Sequence, residues 1–81
     1  MIIGKVVGSV VSTRKNENLV GSKFMIIKPQ QGEETFVAVD NVGAGIGENV
    51  LVATGSAARI GCGHNTAPID AAIVGIIDDD I

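Results

Sequence analysis

A small, mainly β barrel is the fold class this sequence predicts, and three observations predict it. The apolar residues make up 46% of the chain. They are dominated by Val, Ile, Ala and Leu, and β-branched side chains pack well on a pleated surface. The 11 glycines break these runs with frequent tight turns. What they leave are five short apolar runs and one short helical segment, and such a chain closes most naturally into a small barrel.

The first strand covers residues 2–12, rich in Val and Ile. Gly4 and Gly8 lie along it, and strand glycines often mark bulges or close backbone approach, so this strand is expected to bend. Residues 13–22 are polar and read as a loop, with Leu19 and Val20 placed to dip back towards the core. The second strand is Lys23-Phe24-Met25-Ile26-Ile27-Lys28. Pro29-Gln30-Gln31-Gly32 then signals a turn, because Pro fixes φ and Gly permits positive φ. Residues 35–40 alternate Phe36, Ala38 and Asp40 against Thr35, Val37 and Val39, which makes a third strand and a hairpin with the second.

Gly43, Gly45 and Gly47 fall at alternate positions in the next segment, which therefore reads as a loop and not a helix. Residues 49–53 are the fourth strand. Ser56 is an N-cap candidate, and Gly61 a C-terminal stop, for a helix of about one turn. Residues 62–68 read as loop. Residues 70–78 are the last strand, with Gly75 inside it. One domain spans 1–81, with no internal repeat and no linker.

A chain of 81 residues buries only about 60% of its unfolded surface, so its own core is marginal. Disulfides, metals or oligomerisation are the usual remedies. Cys62 is the only cysteine, which excludes an internal disulfide and fits a reducing compartment. Oligomerisation is therefore expected. The net charge is −3, which supplies no attraction to nucleic acid or an anionic membrane. Stacking platforms for single-stranded nucleic acid need aromatics, and Phe24 and Phe36 are the only two here. The N-terminus lacks the features of a signal peptide. No apolar run reaches the ~20 residues of a membrane helix. The expected location is cytoplasmic.

Three chemistries are worth weighing. Gly43-Ala44-Gly45-Ile46-Gly47 is G-x-G-x-G, not the G-x-G-x-x-G of dinucleotide loops, and a strand follows it where that fingerprint requires a helix. A tight loop at a point of close backbone approach explains it better. Cys62 and His64 are two metal ligands where a structural zinc site needs four, so only a ring of several copies could build a site from them. Ser56, His64 and Asp70 have the residue types of a hydrolase triad, but a triad is a geometry, and no G-x-S-x-G elbow is present. No catalytic residue, cofactor or metal is expected. Arg59 is either a mobile surface cation or a partner for Glu48 or Asp40, or it faces a neighbouring subunit or a central opening.

Order and wording of the residues add a further pointer. Val10-Val11-Ser12-Thr13 and Leu19-Val20-Gly21-Ser22-Lys23 are followed by Val37-Ala38-Val39-Asp40-Asn41-Val42-Gly43-Ala44-Gly45-Ile46-Gly47-Glu48, Val50-Leu51-Val52, Gly55-Ser56-Ala57-Ala58-Arg59 and Pro68-Ile69-Asp70-Ala71-Ala72-Ile73-Val74-Gly75-Ile76-Ile77-Asp78. Together these blocks, nearly end to end, resemble the vertex-protein family of bacterial microcompartments, the EutN/CcmL type. The resemblance implies a five-stranded, OB-like β-barrel with one short helix, assembling as a cyclic homo-pentamer. It implies a structural subunit without catalytic activity that closes the five-fold vertices of a carboxysome or metabolosome shell, beside hexameric shell proteins. By analogy, Gly43, Ala44, Gly45, Gly47 and Glu48, with Ser56, Ala57, Ala58 and Arg59, are expected at subunit contacts or around the central opening. No family role carries over to Cys62 or His64. The alternative is a small OB-like barrel that serves as a binding module for a ligand or nucleic acid.

Overall fold

In a computed structural model, which describes residues 1–63 and 66–78, the strands are β1 (Ile2–Val10), β2 (Lys23–Pro29), β3 (Phe36–Asp40), β4 (Asn49–Thr54) and β5 (Ala71–Ile77), and one helix, α1 (Ser56–Cys62), lies between β4 and β5. The strands close into a barrel in the order β1-β2-β3-β5-β4, with β4 returning to β1. All pairs are antiparallel except β3 with β5, which run parallel over Val39↔Ala72 and Asp40↔Ile73. Closure pairs every strand on both sides, though β3 and β5 meet over only two positions. This is the mainly β, five-stranded OB-like barrel with a single short helix that the sequence predicts.

The bends fall where strand glycines suggest them. The register of β1 against β2 slips between Val6 and Gly8, so Val7 is an extra residue. Leu51 pairs with Gly75 and Val52 with Ile73, so Val74 is the extra residue of β5. Such bulges sharpen the local twist and help a five-stranded sheet close on itself. Gly4 serves a different need. A Cβ there would stand 2.5 Å from Ile27 Cγ2 and 2.9 Å from the Lys28 carbonyl oxygen, so β1 and β2 meet at a point that admits no side chain.

Two apolar clusters result. Val6, Met25, Ile27, Ala38, Ala44, Val50, Val52, Ala71 and Ile73 fill the barrel. Burying each large side chain of this set contributes about 1.5–3 kcal/mol. Val39, Ala58, Cys62, Ala67, Ile69 and Ala72 form a second cluster beneath α1, with Leu19 and Phe24 packed against it. Leu19 thus dips inward as the sequence suggests, at the end of a short 3-10 turn (Glu17–Leu19) that the sequence reading treats as plain loop. Val20 does not follow it and is exposed.

The helix corrects two expectations. Its N-cap is Gly55, not Ser56, and no side chain caps it. Ser56 is instead the first helical residue. Gly61 does not end the helix, which runs on to Cys62 and stops at Gly63 in the left-handed conformation. Gly63 donates its N–H to the carbonyls of Arg59 and Ile60, satisfying the last turn. Gly61 is there for packing: a Cβ would come within 2.8 Å of Val74 Cγ1, on the bulge of β5.

Candidate functional site: two exposed segments on the barrel

The 41–48 loop is shaped by side chains from three different elements. Asp40 ends β3 on the same inward-pointing face as Ala38, and its carboxylate is fully buried. Burying a carboxylate is costly unless charge and hydrogen bonds satisfy it. Asp40 Oδ1 accepts the N–H of Val42 at 2.9 Å, and Oδ2 accepts the N–H of Ala44 at 2.8 Å. The opposing cation is Lys23, its cross-strand partner on β2, with Nζ 3.4 Å from Oδ2. The same ammonium donates to the Ala44 carbonyl at 2.9 Å. Lys23 keeps a side-chain exposure of 52%, so it supplies charge without itself being stripped of water.

Further along, Glu48 Oε1 accepts the N–H of Gly45 at 2.6 Å. Gly47 donates to the carbonyl of Val6, and Val6 donates to that of Glu48, which ties the loop to β1. Positive φ is needed at Gly43 and Gly47 (85° and 96°), where a side chain would be strained. Gly45 has no such requirement. Ala44 is fully buried and belongs to the barrel core. Its neighbour Ile46 is 66% exposed. The loop therefore plugs one apolar side chain into its own barrel and turns another outward.

The second segment is α1. Ala58 and Cys62, four residues apart, face the second cluster, while Ser56, Ala57 and Ile60 face outward. Ile60 is 74% exposed. Half-buried Arg59 donates from Nη1 to the Ile69 carbonyl at 3.4 Å. Arg59 pairs with neither Glu48 nor Asp40: Glu48 accepts the Gly45 N–H, and Asp40 is held by Lys23 and two backbone N–H groups. Ala44 and Ala58 spend their side chains on the protomer's own cores, so any part they take in a contact is through the backbone they shape. Gly43, Gly47, Glu48, Ser56 and Ala57 are on the surface.

Residues outside the predicted set give these segments their character. Ile46 and Ile60 are the most exposed large apolar groups of the two segments, and Asp40 and Lys23 are the pair that fixes the first of them. A signal for Ile46 was present: an isoleucine between two glycines in a loop has no strand or helix to bury it. Asp40 was signalled by its alternation with Phe36 and Ala38.

A surface cleft of about 590 Å³ is lined by Ile3, Lys5, Lys28, Asn49, Ile77 and Asp78. Among the described residues, no three His, Cys, Asp or Glu side chains gather as a metal site. Cys62 is buried, its Sγ 3.5 Å from the Arg59 carbonyl oxygen. His64 lies outside the described residues, and with it the Cys62–His64 ring and the Ser56–His64–Asp70 triad. No helix among the described residues is long and apolar enough to cross a membrane.

Comparison with known proteins gives a consistent answer. The family model described as "Ethanolamine utilisation protein EutN/carboxysome" matches residues 1–78. The bacterial microcompartment shell vertex protein GrpN of Rhodospirillum rubrum is 49% identical over 83 residues, covering 96% of this chain and 93% of GrpN. The carboxysome shell vertex protein CcmL of Synechocystis is 51% identical, covering 96% of this chain and 83% of CcmL. Among solved structures, CcmL of Nostoc superposes with a TM-score of 0.91 at 45% identity, over 96% of this chain and 89% of that one. The pentameric microcompartment shell protein GrpN superposes at 0.88 and 46% identity, over 98% and 95%.

Proposed function

This chain belongs to the EutN/CcmL family, and from that premise we propose that it is a structural subunit of a bacterial microcompartment shell, assembling as a homo-pentamer that caps the shell's five-fold vertices. The observation that carries this reading is the likeness, at 46% identity over nearly the whole chain, to a solved pentameric shell protein. In this reading the single domain spans residues 1–81. It works in the shell, in the cytoplasm, beside hexameric shell proteins. It performs no catalysis, carries no cofactor or metal, and binds neither nucleic acid nor membrane.

The physical logic runs from the small barrel outward. A sheet of hexagons cannot close without five-fold positions. A five-fold ring needs a heterologous contact, in which one patch of each subunit meets a different patch of the next. Exposed isoleucines are costly to leave in water and gain about 25 cal/mol per Å² of surface covered. Ile46 and Ile60 stand out from two separate segments, which suits a surface meeting a neighbour. We place Gly43, Ala44, Gly45, Gly47 and Glu48, and Ser56, Ala57, Ala58 and Arg59, at or beside the subunit contacts or the central opening on this basis.

Native mass spectrometry tests the assembly. Five chains of 8.3 kDa make about 42 kDa, and a dominant species of that mass is expected. A stable monomer at micromolar concentration would overturn the reading. Co-expression with a hexameric shell protein tests the second half: closed shells should form with this subunit and open sheets or tubes without it.

A further inference from the structure

The charged pair beneath the 41–48 loop has a use beyond holding the protomer together. The loop that it shapes projects one large apolar side chain, Ile46, and little else that is apolar and large except Val42 at its start. The N–H groups of Val42, Ala44, Gly45, Gly47 and Glu48 are all taken up inside the chain. A loop so occupied offers a neighbour few backbone donors. What it offers is a fixed shape with an isoleucine at its tip.

Resting on the reading that this loop meets a neighbouring copy, we infer that Asp40 is a positioning residue for ring assembly: with Lys23 it locks the 41–48 loop so that Ile46 is held ready as an apolar anchor for a second copy of this chain. Contact residues that are already ordered lose less entropy on association than mobile ones. A single well-packed apolar anchor can dominate a contact of this kind. The carboxylate accepts two N–H groups of the loop from a strand that belongs to the barrel, so the position of Ile46 is referred directly to the barrel wall. Lys23 closes the arrangement from the adjacent strand by bridging the carboxylate and the Ala44 carbonyl. Neither Asp40 nor Lys23 need touch the neighbour for this to work.

The test separates assembly from folding. The ring is followed by native mass spectrometry across a dilution series, and the protomer by far-ultraviolet circular dichroism. Ile46→Ser changes an exposed residue and should leave the barrel signal unaltered. It should raise the concentration at which half of the chains are in rings by roughly ten-fold or more, since an interface anchor is worth at least one factor of ten. Lys23→Met removes the charge and the bond to Ala44 from a half-exposed position. It should also keep the barrel and raise that concentration, while speeding amide exchange at Val42 and Ala44. Lys23→Arg, which keeps the charge, should restore much of the loss. Asp40→Asn is expected to act in the same direction and more strongly, and Lys23→Met decides the matter if Asp40→Asn does not fold. Rings as stable as wild type in both Ile46→Ser and Lys23→Met would overturn the inference and leave the vertex reading standing. A wild-type protein that forms no ring would overturn that reading itself.

Discussion

The 41–48 loop and the 55–63 segment each carry three glycines and one exposed isoleucine, yet they keep their shapes by different means. In the first, polar side chains do the holding: Asp40, Lys23 and Glu48 reach the loop's backbone from β3, from β2 and from its own far end. In the second, no side chain caps the helix. Gly55 donates its backbone N–H to the Asp70 carbonyl at 2.8 Å, and Gly63 closes the last turn in the left-handed region. Between them Gly61 allows α1 to approach β5 until a methyl group would collide with Val74. One segment is thus fixed by charge and directed hydrogen bonds, the other by steric fit. The difference teaches that similar glycine content conceals distinct vulnerabilities, one to loss of a partner and the other to gain of a carbon atom.

Stability variants should separate the two modes, read by urea denaturation at one fixed protein concentration, because assembly contributes to apparent stability. The largest effect is expected at Asp40→Ala. It leaves the N–H groups of Val42 and Ala44 without their acceptor inside the fold, and should cost about 3 kcal/mol, at 1–3 kcal/mol for each unsatisfied group. A loss below about 1 kcal/mol would mean that water replaces the carboxylate, and that charge does not hold the loop. Gly61→Ala comes next. Its added methyl must displace Val74 or lift the helix, at a cost of about 2 kcal/mol from overpacking, even though alanine is the better helix former. A neutral or stabilising result would sink the steric account of this segment.

Much of this architecture was legible in the sequence, and the parts that were not share a cause. Val and Ile runs marked the five strands, since alternation and β-branching act locally along the chain. Gly8 and Gly75 marked their bulges for the same reason. The end of the helix was misplaced because Gly61 is a sound stop on local grounds. Only the approach of β5, distant in sequence, shows it to be a packing residue. Ser56 similarly has the right chemistry for a cap, but the chain turns one residue earlier at a positive φ that only Gly55 tolerates. The second cluster was invisible because alanines and a cysteine, which carry no periodic signal, make up most of it, and Val39 and Ile69 join them from stretches far apart in the chain. In the 41–48 loop the motif was legible, but its internal wiring was not: Lys23 lies far from it in sequence, and Arg59, the cation weighed for Asp40, is engaged with Ile69.

The smallest expected effect is also the sharpest probe of the charged loop. The sequence presents Gly43, Gly45 and Gly47 as equivalents, whereas the fold distinguishes them. Gly43 sits at a φ of 85°, so Gly43→Ala should cost about 1–2 kcal/mol in backbone strain while leaving the hydrogen bonds to Asp40 in place. Gly45 has an ordinary φ, and a Cβ there would meet only Glu48 Oε1, at 3.4 Å. That oxygen ends a flexible side chain and can withdraw by a few tenths of an ångström. Against this slight pressure stands the reduced freedom of the unfolded chain, which favours alanine by about 0.4–1 kcal/mol wherever the backbone accepts it. Gly45→Ala should therefore lie within about 0.5 kcal/mol of wild type. A loss as large as that of Gly43→Ala would show that the Glu48–Gly45 bond, and not the Asp40 carboxylate, carries the loop, and the order of the two polar anchors would have to be reversed.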